Sequence, residues 1–272
     1  MAEYYHVINP QKNLYRITSQ EGSYSDLIVG KDKAALIDTG YGIGDLPGVI
    51  ASITKLPLVI LISHCHCDHI GGNSLFHQPI HMGEEDIPTC PYTNGRLFRQ
   101  SMMDGVKVKP EGFDGEEYLS RGFGDVVPCN EGDVIDLGGL TLRVWNAPGH
   151  SVGSRAFYLE EQHVLYTGDS IGSTILLFGY GAADRETYIA TLDKLLKLPF
   201  EDIYGAHAIH AMKREDMLLC RRVAELADYA TGTPFPNPIK NGEDARMCCL
   251  PGMTPQDEGK PGFAAIVLSP DA

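Results

Sequence analysis

Between positions 64 and 69 the chain reads His64-Cys65-His66-Cys67-Asp68-His69, followed by Ile70-Gly71-Gly72. Imidazoles and carboxylates are costly to bury without partners, so three histidines and an aspartate this close together do not serve packing. Their shared property is affinity for borderline metals such as zinc, through nitrogen and oxygen. Cys65 and Cys67 alternate with the histidines, and neighbours in extended chain point to opposite sides, so both thiols are expected to face away from a metal. The preceding Leu58-Val59-Ile60-Leu61-Ile62 reads as a fully buried strand. The metal-type run therefore begins just past the carboxyl end of a strand, where α/β folds place their sites.

The same arrangement recurs downstream. An apolar strand over 140–145 leads through Ala147-Pro148-Gly149 to His150, one over 163–167 through Gly168 to Asp169, and one over 201–204 through Gly205-Ala206 to His207. The glycines let the backbone turn sharply enough for each side chain to project from a sheet edge. The candidate ligands are thus His64, His66, Asp68, His69, His150, Asp169 and His207. So many ligands suit two ions better than one, since zinc is usually four-coordinate with an open catalytic position, and a carboxylate such as Asp169 can bridge a pair. The last position is His207 or His210, both in Tyr204-Gly205-Ala206-His207-Ala208-Ile209-His210. His6, His77, His81 and His163 have no ligand-like context.

The elements that must position these residues are strands first, then helices and strands again. Segments 14–18, 24–29 and 33–38 suggest an opening meander, and 46–55 a short helix with Pro47 near its first turn. Residues 83–125, rich in Gly, Pro and charge around a helix near Gly95–Asp104, read as an insertion that shapes a substrate pocket or lid, or else as a solvated loop. Strands are expected at 133–137, 140–145, 155–159, 163–167, 201–204 and 263–268. Helices are expected over 184–197 and over 213–230, the latter with Met217, Leu218, Val223, Ala224, Leu226 and Ala227 inward. The tail 231–261 is Pro/Gly-rich. Two roughly similar halves suggest two sheets covered by helices, an α+β architecture, rather than one doubly wound sheet. With 272 residues and 43% hydrophobic composition, the chain can form a single domain over 1–272 with an ample core.

The formal net charge of -14 argues against nucleic-acid or anionic-membrane partners, because phosphates would be repelled. No stretch has the length of an apolar membrane span, and the N-terminus lacks the layout of a signal peptide. Seven cysteines, an odd number, fit reduced thiols. The adjacent Cys248-Cys249 read as small buried hydrophobes. A cytoplasmic protein acting on a small molecule is expected.

The run His64-x-His66-x-Asp68-His69, with His150, Asp169 and His207 downstream, resembles the metallo-β-lactamase-fold hydrolase superfamily. The resemblance extends from about Ala35 to about His207. Ile37-Asp38-Thr39-Gly40 matches a recurring segment in which the aspartate supports the metal loop. Ala147-Pro148-Gly149-His150-Ser151-Val152-Gly153-Ser154 and Tyr166-Thr167-Gly168-Asp169 match the third-histidine and bridging-aspartate segments. Gly205-Ala206-His207-Ala208 resembles the family's Pro-Gly-His-Gly turn and favours His207 over His210. The resemblance implies a four-layered αβ/βα sandwich, two mixed β-sheets flanked by helices, with a dinuclear zinc centre at one edge. Iron or manganese are alternative metals. By the same resemblance His64, His66 and His150 hold the first ion, Asp68, His69 and His207 the second, and Asp169 bridges. Family members are often dimeric, so a homodimer is an option.

That ligand set implies hydrolysis by a metal-bridging hydroxide, with Asp68 as the catalytic residue that orients it and passes its proton to the leaving group. The expected substrate is a lactone, ester or thioester. The diiron flavoproteins of the superfamily carry a glutamate where this chain has His66, which argues against redox work. β-Lactamases of the superfamily generally lack the bridging aspartate. Glyoxalase-type thioesterases share the ligands but add a helical glutathione-gripping domain, and here 231–272 is short. Lactonases place a catalytic tyrosine soon after the bridging aspartate, whereas Ser170-Ile171-Gly172 follow here and Tyr180 is the nearest substitute. The alternatives are a phosphodiesterase on the same centre, β-lactamase-like amide hydrolysis, and a non-catalytic metal-dependent binding protein.

Overall fold

The computed structural model describes residues 4–179, 181–236 and 244–270. It is a mixed α+β structure that divides into two compact units, Met1–Val144 with Leu159–Glu161, and Trp145–Tyr158 with Gln162–Ala272.

The first unit contains β1 (His6–Gln11), β2 (Leu14–Thr18), β3 (Tyr24–Val29), β4 (Ala34–Ile37), α1 (Leu46–Ile53), β5 (Leu58–Leu61), α2 (Cys67–Ile70) and β6 (Ile80–Met82). It continues with α3 (Cys90–Thr93), α4 (Arg96–Gly105), α5 (Gly115–Ser120), β7 (Val126–Pro128), β8 (Val134–Asp136) and β9 (Thr141–Asn146), the last running into the second unit. Strands β1 to β7 form one mixed sheet in chain order. The meander expected over 14–38 is antiparallel β2–β4, and β1, absent from that expectation, extends it antiparallel to β2, while β4, β5, β6 and β7 run parallel. All four residues of β4 are buried, as a strand covered on both faces requires. Helix α1 starts where Asp45 accepts from Gly48 N at 2.9 Å, with Pro47 in its first turn.

The parallel register of β4 and β5 positions the candidate site in this unit. Ile37 pairs with Leu61, so the residues leaving the two strands emerge side by side, and Asp38 N donates to Leu61 O at 2.8 Å. Asp38 therefore stands beside Ser63 and His64 because of sheet register, although the sequence separates them.

The second unit contains β10 (Arg155–Leu159), β11 (Val164–Gly168), β12 (Thr174–Leu177), α6 (Arg185–Leu195), β13 (Asp202–Gly205), α7 (Arg214–Leu226), β14 (Thr233–Pro234), β15 (Arg246–Cys249) and β16 (Ala265–Leu268). Strands β11 and β13 pair in parallel, and a four-stranded mixed sheet runs β12-β16-β15-β14. The core is built from Tyr188, Leu192 and Leu195 of α6, Met217, Cys220, Val223 and Ala224 of α7, and strand residues such as Ile203 and Ile266.

Three expectations are corrected here. Helix α7 stops at Leu226 rather than 230, because Ala227 is extended and Asp228 caps a separate 3-10 turn by accepting from Ala230 N. Leu218 and Leu226, expected inward, are 47% and 52% exposed, since the buried face follows positions 217, 220, 223 and 224, a helical stripe that excludes both. The Pro/Gly-rich tail also carries a strand, β15, in which Cys248 is buried and Cys249 half-buried. Among the described residues no helix is long and apolar enough to cross a membrane.

Candidate metal centre

In the first unit the run from His64 to His69 leaves β5 and turns into α2, which places Asp68 and His69 in its only turn. Ligand atoms of His64 and His66, of His64 and His69, and of Asp68 and His69 lie within 4.8 Å of each other. His64 Nε2 and His66 Nδ1 are 3.1 Å apart, and His69 Nε2 is 3.3 Å from Asp68 Oδ2. His64 and His69 are buried, while His66 and Asp68 are half-buried.

One carboxylate sets the protonation pattern of this group. Asp38 Oδ1 accepts from Ser63 N at 2.7 Å. Its Oδ2 accepts from Ser63 Oγ at 2.8 Å and from His69 Nδ1 at 2.9 Å. Because the Ser63 hydroxyl proton is given to Asp38, its oxygen accepts from His64 Nδ1, 3.0 Å away. Both imidazoles thus carry their proton on Nδ1 and present the lone pair of Nε2. Histidines that ligate metals are oriented in this way by a partner on the other ring nitrogen.

The loop backbone is also clamped. Asp86 and Thr93, both buried, bind the peptide of Cys65 between the two histidines: Asp86 Oδ2 accepts from Cys65 N at 3.0 Å, and Thr93 Oγ1 donates to Cys65 O at 2.5 Å. Thr39 N and Oγ1 donate to His69 O at 2.8 and 3.0 Å. Gly42, at φ 73°, lies so close to Gly71 that a Cβ there would sit 2.3 Å from the Gly71 carbonyl oxygen. Cys65 and Cys67 are buried and burial pushes both thiols up, the latter to about 12, so neither offers a thiolate.

The second unit carries the other three residues. His150 follows β9 in a turn held by α6: Thr191 Oγ1 donates to Pro148 O at 2.7 Å, Ala183 N donates to Gly149 O at 2.8 Å, and the Tyr188 ring fills the space a Cβ on Gly149 would need. His150 Nδ1 donates to Leu176 O at 2.8 Å, which again leaves Nε2 with its lone pair. Asp169 follows β11 and His207 follows β13, and the parallel pairing of those strands, closed by Ala206 N donating to Gly168 O at 2.9 Å, brings the two together. Asp169 Oδ2 is 3.3 Å from His207 Nε2 and 3.6 Å from His150 Nε2. His207, although exposed like His210, is thus the histidine at this carboxylate. Tyr180 lies outside the described residues.

The donors in each unit are of the kind that bind a divalent metal. Three imidazoles have their Nδ1 proton committed to an oxygen, and their remaining nitrogens lie beside other nitrogens or carboxylates, an arrangement that a cation satisfies. The supporting residues that sequence reasoning passed over are Ser63, Asp86, Thr93 and the Leu176 carbonyl. A backbone acceptor has no side-chain signature, and Asp86 sits in the acidic run Glu84-Glu85-Asp86, which looks like solvated surface.

The chain was compared with known proteins. It is 25% identical over 185 residues to the human protein described as acyl-coenzyme A thioesterase MBLAC2, covering 63% of this chain and 66% of that one. It is 28% identical over 149 residues to the atrochrysone carboxyl ACP thioesterase of Aspergillus terreus, covering 53% of this chain and 37% of the relative. The chain therefore spans less than two thirds of these relatives. Its structure aligns with a metallo-beta-lactamase from Pontibacter korlensis at a TM-score of 0.61 and 17% identity, covering 82% of this chain and all of the other, which shows a shared α+β sandwich fold. The sequence model of the metallo-beta-lactamase superfamily matches residues 20–207, the segment that contains every candidate ligand, and the chain belongs to that superfamily.

Proposed function

We propose that the chain is a dinuclear zinc hydrolase of small acyl substrates, with thioesters the foremost class. The single observation that carries the reading is the set of committed Nδ1 protons on His64, His69 and His150, which prepares three Nε2 atoms for a metal. In this reading His64, His66 and His150 hold one ion, Asp68, His69 and His207 the other, and Asp169 is shared. The superfamily match runs through both units, which supports treating them as one catalytic domain. Thioesters rank first because two relatives are described as thioesterases.

Zinc bound there would supply a water that is nucleophilic near neutral pH and a Lewis acid for the thioester carbonyl. In this reading Asp68, half-buried beside His69, accepts the proton of the attacking water and returns it to the departing sulfur. Asp38 and Ser63 hold the imidazoles in one tautomer throughout, so no reorganisation of the cluster accompanies the reaction. The free thiols fit a cytoplasmic setting.

The test is hydrolysis of acyl-coenzyme A, aryl ester, lactone and β-lactam substrates by zinc-loaded protein. Thioester cleavage lost on Asp68→Asn supports the reading. Cleavage of β-lactams alone, or turnover indifferent to Asp68→Asn, contradicts it.

A further inference from the structure

Beside α2 the first unit carries an apolar cluster that the metal ligands do not account for. Its buried floor is Ile43, Val106, Tyr118 and Leu119, and half-buried Tyr41, Met103 and Phe113 pack on it. These residues come from two stretches: the loop after β4, which carries Asp38, and the 83–125 segment.

The parts touch one another and the ligand loop. Tyr118 Oη donates to Tyr41 O at 3.0 Å, and the Phe113 and Tyr118 rings are 5.6 Å apart. Tyr41 O packs so tightly on Gly71 that a Cβ there would sit 2.4 Å away, and Gly71 directly follows the turn that carries Asp68 and His69. Arg99, 1% exposed, fastens α4 to this place by donating to Gly71 O at 3.1 Å and to Gly122 O at 3.2 Å. Arg121 does the same from the end of α5, donating to Gly42 O at 2.5 Å. The buried Arg99 guanidinium, and the half-buried one of Arg121 that also pairs with Glu117, fix the cluster to the loop carbonyls.

We infer that Tyr41, Met103 and Phe113 form the surface against which the acyl chain of the substrate lies. The inference rests on the thioester reading. A carbonyl held at the His/Asp cluster must send its acyl chain along whatever wall adjoins Asp68. In this unit the cluster that packs on Gly71, directly after the turn of Asp68 and His69, presents the side chains of Tyr41, Met103 and Phe113. A rigid surface of aromatic and thioether side chains favours a hydrocarbon or aromatic acyl group over a charged one.

The experiment is kcat/KM of the zinc-loaded protein for acyl-coenzyme A substrates from acetyl to decanoyl, comparing wild type with Met103→Gln, Phe113→Gln and Met103→Leu. Each buried methylene raises kcat/KM by about fourfold where the chain meets apolar surface. The Gln variants should flatten that slope by at least half, with zinc content unchanged, and Met103→Leu should keep it. Melting temperature and zinc content identify any variant that merely unfolds, and Met103→Leu against Met103→Gln then decides at a single position. A slope unaffected by the Gln variants, or an equal loss at every chain length, overturns the inference while leaving the thioester reading intact. Wild type that cleaves no thioester, with zinc bound, overturns the reading and this inference with it.

Discussion

The Asp38 carboxylate reaches the imidazole of His69 across 31 positions of sequence, accepting its Nδ1 proton at 2.9 Å while also holding Ser63. A single buried group therefore sets the tautomers of His64 and His69 together. Asp38 adopts φ 63°, a conformation that Asp and Asn tolerate better than other side chains.

Asp38→Asn keeps the backbone preference and the volume. It sets an NH2 either at the Oδ1 position, against Ser63 N, or at the Oδ2 position, against both Ser63 Oγ and His69 Nδ1, where an acceptor is needed and its loss favours the tautomer that protonates Nε2. Zinc affinity should fall by roughly 10–100-fold. Competition with a chromogenic chelator measures this, and unchanged affinity would show that Asp38 is merely structural.

Arg99 is buried among the carbonyls of Asn94, Gly71 and Gly122. Arg99→Met leaves those acceptors without their charged donor and should destabilise the protein by about 3 kcal/mol. Lysine should not rescue it, because an ammonium cannot span three divergent carbonyls. Urea unfolding of both variants checks this, and a lysine variant as stable as wild type would refute it.

The 83–125 segment shows how far the sequence could be read. Helix α4 was legible near Gly95–Asp104 from its spacing, and it runs Arg96–Gly105. That Asp86 and Thr93 clamp the Cys65 peptide was not legible, because the role depends on where a loop folds back. The segment buttresses the candidate metal loop, so a deletion that removes Asp86 or Thr93 should disturb the loop itself. The candidate ligands stood out in the sequence because their chemistry is unusual and each follows an apolar strand. Leu218 and Leu226 misled because an apolar side chain on a helix is a weaker signal than its phase relative to the buried stripe.

Asp184 caps α6, the helix that holds the His150 turn, by accepting from Thr187 N at 2.7 Å, and the hydrogen bonds to Thr187 hold its carboxyl below the usual range. Since the folded value is the lower one, the stabilisation is complete above the unfolded value near 4 and is lost as pH falls through the folded one. Asp184→Ala should cost about 1 kcal/mol at pH 7. That difference should shrink below pH 4 in parallel unfolding curves, and a difference constant down to pH 2 would contradict the assignment.

Thiol reactivity should follow burial. Burial pushes the Cys90 thiol up to about 12 and that of Cys220 to about 11, and alkylation requires the thiolate. In native protein treated with iodoacetamide at pH 8, half-buried Cys249 should be labelled first, and Cys90 and Cys220 only after unfolding. Peptide mass spectrometry reads the order, and early labelling of Cys90 or Cys220 would be inconsistent with the packing described.

The most direct test of the central claim is the zinc content of purified wild type and Asp169→Ala by elemental analysis, each assayed for thioester hydrolysis. The account predicts about two zinc ions per wild-type chain, a loss of at least one in the variant, and hydrolysis abolished with it. One ion or fewer in active wild type, or a variant that keeps both its zinc and its turnover, would contradict a dinuclear centre shared through Asp169.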